Sequence, residues 1–277
     1  MADLRRDSHR AKKSLGQNFL IDPNLQRKIV EALAPSPDDE VLEIGPGHGA
    51  LTSHLAGTVR RLILVEIDRD LASHLATKFA DRPSIVVLSA DILETSLDEV
   101  AEDPARLKVI GNIPYNITTP IIFHLLERRP RPTSIVLTVQ REVADRLLAR
   151  PGGKEFGALA VGVQSVASIE RITHVGRYAF RPIPDVESTV IRITPFQPPP
   201  LDQSTEQALR SLSRTAFGMR RKQFQRILRD ALSLSAEEVG RLGDTTGLDL
   251  SARPETFDAL DFIRLTRALI DAGHPPP

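Results

Sequence analysis

The sequence predicts an α/β protein, with a mostly parallel sheet covered by helices on both faces and a small all-α second domain. Three observations predict this class: short apolar runs alternate with helical patterns in the first half, two strand-like segments flank a Pro-rich turn, and only helical periodicity follows residue 203. A chain of 277 residues is long enough for two domains.

The first half of the chain carries the predicted parallel sheet. Asp22 and Pro23 are the predicted N-cap and first residue of a helix. Apolar residues recur at helical spacing within 70–79 and 120–127, which predicts two further helices. Strands that are apolar on both faces and separated by helices are typical of a parallel sheet. Five short apolar runs are the predicted strands: Val41–Ile44, Leu62–Ile67, Ile85–Leu88, Val109–Ile110 and Ile135–Val139.

The pattern changes after residue 168. The segments Ile169–Val175 and Thr189–Ile193 flank Phe180-Arg181-Pro182-Ile183-Pro184, which predicts an antiparallel hairpin at the end of the sheet. Pro195 to Pro200 is a stiff, extended linker. We therefore expect one domain over residues 1–195 and a helical domain over residues 201–277.

Composition excludes several classes of protein. No run of 18 apolar residues exists, and the basic N-terminus lacks the apolar stretch of a secretory signal. The absence of cysteine excludes disulfides and thiolate zinc sites, and the seven histidines show no metal-ligand spacing. We expect a cytoplasmic protein without a membrane segment or a metal.

The net charge of zero conceals two basic segments. Residues 1–30 contain seven Lys/Arg against three acids, and residues 210–230 contain seven against one; the remainder has a net charge of −10. Such a distribution fits either a polyanionic partner or two solvated faces. In a continuous helix, Arg210, Arg214 and Arg221 would share one face.

A glycine loop follows the first strand of the sheet. Gly45-Pro46-Gly47-His48-Gly49 is neither the G-x-G-x-x-G of dinucleotide folds nor a P-loop. Glu66 ends the next strand, where an acid accepts hydrogen bonds from ribose hydroxyls, and Asp91 follows the third strand, where an acid can accept from an adenine amine. Because these strand ends share one crevice, the sequence predicts a nucleoside cofactor.

The segment Asn112-Ile113-Pro114-Tyr115 follows the fourth strand. The exocyclic amine of adenine is a poor nucleophile, because its lone pair is delocalised into the ring. The carbonyl of Asn112 and a main-chain carbonyl can hold its two N–H groups and free that lone pair. Pro114 stiffens the turn and Tyr115 offers a ring on which an extruded base stacks. An Asx-turn with a surface tyrosine is the alternative interpretation.

These motifs resemble those of the ribosomal RNA adenine dimethyltransferases over nearly the whole chain, most closely the bacterial small-subunit branch. The resemblance rests on an opening K-x-x-G-Q-N-F-L, the loop EIGPGHGALT, VEID, NIPYNITTP, F-x-P-x-P-x-V-x-S and F-x-x-R-R-K. In this chain they begin at Lys13, Glu43, Val65, Asn112, Phe180 and Phe217. Two departures are Pro254 in the late R-A-E motif and the lower overall charge.

The resemblance implies a Rossmann-like methyltransferase sheet and S-adenosylmethionine as methyl donor. It implies dimethylation of two adjacent adenines in a hairpin loop near the 3′ end of 16S rRNA, in a pre-30S particle, by a monomer. Phe180 would form the second wall of the base pocket. The implied cofactor residues are Asn18, Leu20, Gly45, Gly47, Glu66, Asp91 and Asn112; the implied RNA-binding residues are Arg220, Arg221 and Lys222.

Four alternatives remain at this point. They are a large-subunit (23S) dimethylase of the macrolide-resistance type, a DNA adenine methylase, a ribosome-assembly checkpoint protein and a nicotinamide oxidoreductase. DNA enzymes usually carry Asn/Asp-Pro-Pro-Tyr, and the glycine spacing disfavours a nicotinamide cofactor. An intact Asn112-to-Tyr115 segment favours an enzyme over a binding protein.

Overall fold

The computed structural model describes residues 11–12 and 15–276. The chain forms two compact units. The first extends to Ala144 and resumes over Glu170–Thr194; the second contains Asp145–Ile169 and the residues from Pro195 onward.

The first unit is built on a seven-stranded sheet, and the predicted α/β class is confirmed. Its strand order is β4-β3-β2-β5-β6-β9-β7; the pairs among β4, β3, β2, β5 and β6 are parallel, and β9 runs antiparallel to β6. The strands are β2 (Glu40–Ile44), β3 (Arg61–Glu66), β4 (Ile85–Ser89), β5 (Lys108–Asn112), β6 (Ser134–Gln140), β7 (Ala167–Val175) and β9 (Ser188–Pro195).

Burial explains the apolar runs from which the strands were predicted. All of β2 and most of β3, β5 and β6 are buried, whereas β4 at the sheet edge is only half-buried. The α-helices of the first unit are α1 (Pro23–Leu33), α2 (Thr52–Leu55), α3 (Arg69–Lys78), α4 (Leu97–Val100) and α5 (Thr118–Glu127). Helix α6 (Arg141–Leu147) crosses the boundary between the units at Ala144. The side chain of Asp22 caps α1 at the predicted position by accepting from the amides of Asn24 and Leu25.

The Pro-rich segment contains a strand that periodicity did not predict. Strand β8 (Phe180–Arg181) pairs antiparallel with β1 (Phe19–Leu20) in a separate two-stranded sheet. The amide of Ile21 extends this pairing by donating to the carbonyl of Ala179 at 2.8 Å. Two residues are too short for any sequence periodicity to reveal.

The second unit is helical around a core rich in phenylalanine. It contains α7 (Ala158–Gln164), α8 (Gln203–Gly218), α9 (Phe224–Leu232), α10 (Ala236–Thr246) and α11 (Ala259–Asp271). The units differ from the predicted domains, because residues 145–169 belong with the C-terminal helices. The reason is packing: Phe156, Ala160 and Val161 are buried in the same core cluster as Phe224 and Phe262.

The basic segment is not one continuous helix, so the single face on which Arg210, Arg214 and Arg221 would lie is interrupted. Helix α8 ends at Gly218 and α9 begins at Phe224, so Arg220, Arg221 and Lys222 lie in the connection between them. The turn is closed by the amide of Lys222, which donates to the carbonyl of Met219 at 2.8 Å. Over the part of the chain that the structure describes, no helix has the length and apolar character to cross a bilayer.

Candidate active site

A cavity of about 170 Å³ opens at the carboxyl ends of the parallel strands. Gly45 follows β2, Glu66 ends β3, Asp91 lies two residues after β4 and Asn112 ends β5. Parallel strands present their carboxyl ends at one edge of a sheet, so these groups meet in one crevice. The predicted site residues that line the cavity are Asn18, Leu20, Gly45, Gly47, Glu66, Asp91, Asn112, Pro114 and Tyr115.

The glycine loop needs glycine for its backbone conformation and for a close approach. Gly45, Gly47 and Gly49 have φ of 63°, 59° and 80°, values in the left-handed region. A Cβ on Gly47 would lie 2.9 Å from the ring of Phe19. The Gly47 amide donates to Glu66 Oε2 at 3.0 Å. The glycine loop is therefore held between Glu66 at the end of β3 and the ring of Phe19.

Glu66 lies almost wholly buried at the end of β3. Its Oε1 accepts from the amide of Asp68 at 3.0 Å and its Oε2 from Gly47, so each oxygen retains a lone pair for a further donor. Burial raises the pKa of Glu66, and these amide hydrogen bonds oppose the rise. At the end of β4, Asp91 Oδ1 accepts from the amide of Leu93 at 2.9 Å.

Glu43 is a third acid of the cavity that sequence reasoning did not single out. It is buried in β2, and its Oε2 accepts a 2.7 Å hydrogen bond from the hydroxyl of Thr52. Burial raises the pKa of Glu43 to about 7, and the neighbouring charge of Glu66 adds to this rise. Only its position in EIGPG could have pointed to it.

The charge of the cavity limits what it can hold. Glu43, Glu66 and Asp91 line it, and none of the described lining residues is Lys or Arg. Among the described lining residues a pyrophosphate would meet no cation, whereas a ligand with a net positive charge meets three carboxyl groups. This disfavours a dinucleotide on electrostatic grounds, in addition to the glycine spacing.

Asn112 is held with its amide group oriented. Its Nδ2 donates to the main-chain carbonyl of Asn18 at 2.9 Å, so Oδ1 remains as the acceptor. Strands β5 and β2 approach each other closely at Gly111. A Cβ at this position would lie 2.8 Å from the carbonyl oxygen of Ile44, which is too close for any residue but glycine. Asn112 Oδ1, at the end of β5, can therefore accept a hydrogen bond from the N–H of an amine.

Tyr115 is positioned through its hydroxyl. Pro114 precedes a 3₁₀ turn at Tyr115–Ile117, and the Tyr115 hydroxyl makes a 2.7 Å hydrogen bond with the buried hydroxyl of Ser188. Burial raises the pKa of Tyr115, so the phenol stays neutral near pH 7. The Asx-turn alternative did not anticipate this bond between residues distant in the sequence.

Phe180 is the one predicted base-pocket residue that the structure does not bring to the cavity. Its side chain is fully buried within the core of the first unit, and it lies opposite Leu20 in the β1–β8 pair. Its ring is therefore covered by protein and presents no face to the cavity. A stacking role for Phe180 stays a prediction that requires a local rearrangement.

A polar network missed by sequence reasoning holds the segment before β1. Lys12 Nζ lies 2.8 Å from Asp68 Oδ1, and Gln17 Nε2 donates to Asp68 Oδ2 at 3.0 Å. Gln17 belongs to the G-Q-N-F-L motif and Asp68 follows VEI, which was the available signal. Lys13 and Ser14 of the same motif lie outside the described residues.

The three predicted RNA-binding residues have different environments within the helical unit. Arg220 donates to the carbonyl of Lys154 at 2.9 Å, and Lys222 pairs with Asp230 at 2.7 Å. Arg221 is exposed and has no hydrogen-bond or ion-pair partner in the part of the chain that the structure describes. Of the seven basic residues in 1–30, four lie outside the described residues: Arg5, Arg6, Arg10 and Lys13.

Comparison with known proteins agrees with these motifs. The model of the family described as "Ribosomal RNA adenine dimethylase" matches residues 8–264. The chain belongs to this family. A "Ribosomal RNA small subunit methyltransferase A" from Pseudomonas syringae pv. tomato is 39% identical over 261 residues, covering 94% of this chain and 95% of the relative. One of the same name from Geobacter metallireducens is 39% identical over 273 residues, covering 98% and 99%.

Two solved structures share the fold. A dimethyladenosine transferase from Plasmodium falciparum superposes with a TM-score of 0.80 at 24% identity, covering 94% of this chain and all of that one. The 23S rRNA methyltransferase ErmE superposes with a TM-score of 0.71 at 28% identity, covering 91% of this chain and all of that one. The resemblance first seen in the motifs is thereby confirmed at the level of family and fold.

Proposed function

We propose that this protein is an S-adenosylmethionine-dependent rRNA adenine N6-dimethyltransferase. Its target is two adjacent adenines in a hairpin loop near the 3′ end of 16S rRNA, and it acts as a monomer on a pre-30S particle in the cytoplasm. The observation that carries the chemistry is the oriented amide of Asn112, whose Nδ2 is occupied by Asn18 and whose Oδ1 is left to accept. The choice of ribosomal subunit is supported by the small-subunit names of relatives that match 94% or more of the chain.

The cavity fits the cofactor in charge and in hydrogen-bonding groups. S-adenosylmethionine carries a net positive charge, and when bound it supplies a methyl group on a sulfonium as the electrophile. Glu66 would accept from the ribose hydroxyls and Asp91 from the adenine amine. Gly45 would lie under the methionine portion, Gly47 would also contact the cofactor, and Asn18 and Leu20 would lie over the cofactor.

The residues of the chain account for activation of the acceptor amine. Asn112 Oδ1 accepts one N–H of the target adenine and a nearby main-chain carbonyl accepts the other, which favours tetrahedral geometry at nitrogen. The ring of Tyr115, fixed by Ser188, supports the flipped base by stacking. Fixed carbonyl dipoles stabilise the ammonium as it forms, and this ammonium then loses its proton without a strong base.

A large-subunit dimethylase is the second candidate, because ErmE superposes over 91% of this chain. Its 28% identity is lower than the 39% of the small-subunit relatives. A checkpoint role in assembly is compatible with either activity.

Mass spectrometry of rRNA provides the test. We expect two adjacent dimethyladenines to disappear from 16S rRNA in cells that lack the protein, and the purified protein to restore them with S-adenosylmethionine. Loss of methylation from 23S rRNA instead would favour the second candidate. Unchanged modification of both RNAs would contradict the proposed function.

A further inference from the structure

Tyr178 is an exposed aromatic side chain that the proposed chemistry does not use. It lies in the 3₁₀ turn Arg177–Ala179 and is 73% exposed, the highest value among the large apolar side chains of the described residues. The chain has two tyrosines and no tryptophan, and the other tyrosine lines the cavity. A solvated ring at this position contributes nothing to the core and is accessible to a ligand.

The turn is joined directly to a wall of the cavity. The Ala179 carbonyl accepts from Ile21, and the next residues form β8, which pairs with Phe19 and Leu20. Phe19, Leu20 and Ile21 all line the cavity, and Ile21 is itself 46% exposed. The backbone next to Tyr178 is therefore hydrogen-bonded to a strand whose residues line the cavity.

Two exposed arginines, Arg177 and Arg181, flank Tyr178 in the sequence. Arg177 donates to the main-chain carbonyl of Asp185 at 3.3 Å, and Arg181 to that of Phe180 at 3.0 Å. Within the described part of the chain, neither forms an ion pair. Because their acceptors are neutral carbonyls, these hydrogen bonds leave the positive charge of both guanidinium groups unneutralised, one residue before and three residues after Tyr178 in the sequence.

We propose that Tyr178, Arg177 and Arg181 form a docking surface for single-stranded RNA next to the target adenine. This rests on the proposed function. A nucleotide that neighbours the flipped base stacks on the Tyr178 ring, and the two arginines pair with adjacent phosphates. An aromatic ring between cations matches the two features that single-stranded nucleic acid offers, a base face and a regular row of charges.

The test compares substitutions at residue 178. Tyr178→Ala should raise the KM for small-subunit substrate at least about fivefold and weaken binding of a ten-nucleotide oligoadenylate RNA similarly, as expected from loss of base stacking. Tyr178→Phe keeps the ring and should behave as wild type. Leu260→Ala, which removes another exposed apolar side chain, in the helical unit, serves as control. The Kd for S-adenosylmethionine should not change in any variant.

The arginines provide an independent measurement. Arg177→Gln and Arg181→Gln should each flatten the dependence of log Kd for oligoadenylate on log salt by about one unit. Oligoadenylate binding that is unaffected by Tyr178→Ala would overturn the proposal. If the KM for the small-subunit substrate still rose in that variant, Tyr178 would contact a protein of the particle. Failure of the proposed function is distinguishable, since wild type would then not methylate the small-subunit substrate, whereas oligoadenylate binding is measured without methyl transfer.

Discussion

The cavity of the first unit and the basic connection of the helical unit use charge in opposite ways. Around the cavity, Glu43 and Glu66 are buried, and hydrogen bonds from Thr52 and from main-chain amides fix them. In the connection, Arg221 and Lys222 are exposed. A buried charge acts on one ligand at a defined position, whereas an exposed charge acts through the field and is screened by salt. We therefore expect substitutions in the two regions to change different observables.

The largest effect is expected at Asn112. Asn112→Ala removes the acceptor that holds the amine as it becomes tetrahedral, so the turnover number should fall about 10²-fold or more. RNA affinity should change little. A methyl-transfer assay at saturating RNA measures this, with Asn116→Ala, an exposed asparagine in the same motif, as control. Near-normal turnover of Asn112→Ala would contradict a catalytic role for this amide.

A substitution at Glu43 tests whether this buried carboxyl group makes the stability of the protein depend on pH. Because burial raises its pKa from 4.5 to about 7, the folded state retains a proton that the unfolded chain releases. Its contribution to stability is complete below about pH 4.5 and is lost as the pH rises through about 7. The free energy of unfolding of Glu43→Gln, relative to wild type, should thus increase by up to about 3 kcal/mol over that range. Urea unfolding at several pH values measures it, with the exposed Glu94→Gln as control; a constant difference would contradict the raised pKa.

Glu66→Ala should weaken S-adenosylmethionine binding by about 1–3 kcal/mol, the scale of a lost hydrogen bond to a charged group. Isothermal titration calorimetry measures this directly. The salt dependence of RNA binding should be unchanged, because Glu66 contacts no phosphate. Tighter binding of NADH than of S-adenosylmethionine by wild type would show that the charge argument for the cavity is mistaken.

Two substitutions at Tyr115 distinguish the contribution of its ring, by stacking, from that of its hydroxyl, by hydrogen bonding. Tyr115→Ala should reduce methyl transfer by about 1–3 kcal/mol, the range for base stacking. Tyr115→Phe keeps the ring and loses only the hydrogen bond to Ser188, so it should be milder, and Ser188→Ala should match it. If Tyr115→Phe were as damaging as Tyr115→Ala, the hydroxyl would be the important group.

The smallest effect is expected at Arg221, in the second region of the comparison. Arg221→Ala should flatten the slope of log K against log salt by about one unit and weaken binding of all RNA sequences alike. Arg220→Ala instead removes hydrogen bonds to the carbonyls of Gly153 and Lys154, so it should also lower Tm. Unaltered slopes for Arg220→Ala, Arg221→Ala and Lys222→Ala would place RNA docking elsewhere.

Motif-bearing residues of the site were predictable, and their partners were not. Gly45, Glu66, Asp91 and Asn112 follow successive strands, and parallel topology alone brings strand ends together. Ser188 could not be assigned to Tyr115, nor Asp68 to Gln17, because these pairs are 73 and 51 residues apart and no local pattern links them. Phe180 shows the converse, since its motif predicted a wall of the base pocket and the structure places its ring in the core.

The sequence by itself determined the order of strands and helices, the glycine loop with its two acids, and the Asn112–Tyr115 segment, because each depends on neighbouring residues. Tertiary structure alone decided three features: that residues 145–169 join the helical unit, that Phe180 and Arg181 pair with Phe19 and Leu20, and which atom of the Asn112 amide remains available. Each of these depends on burial or on a hydrogen bond between residues distant along the chain. Local sequence periodicity cannot predict such contacts, because it depends only on residues close together in the sequence.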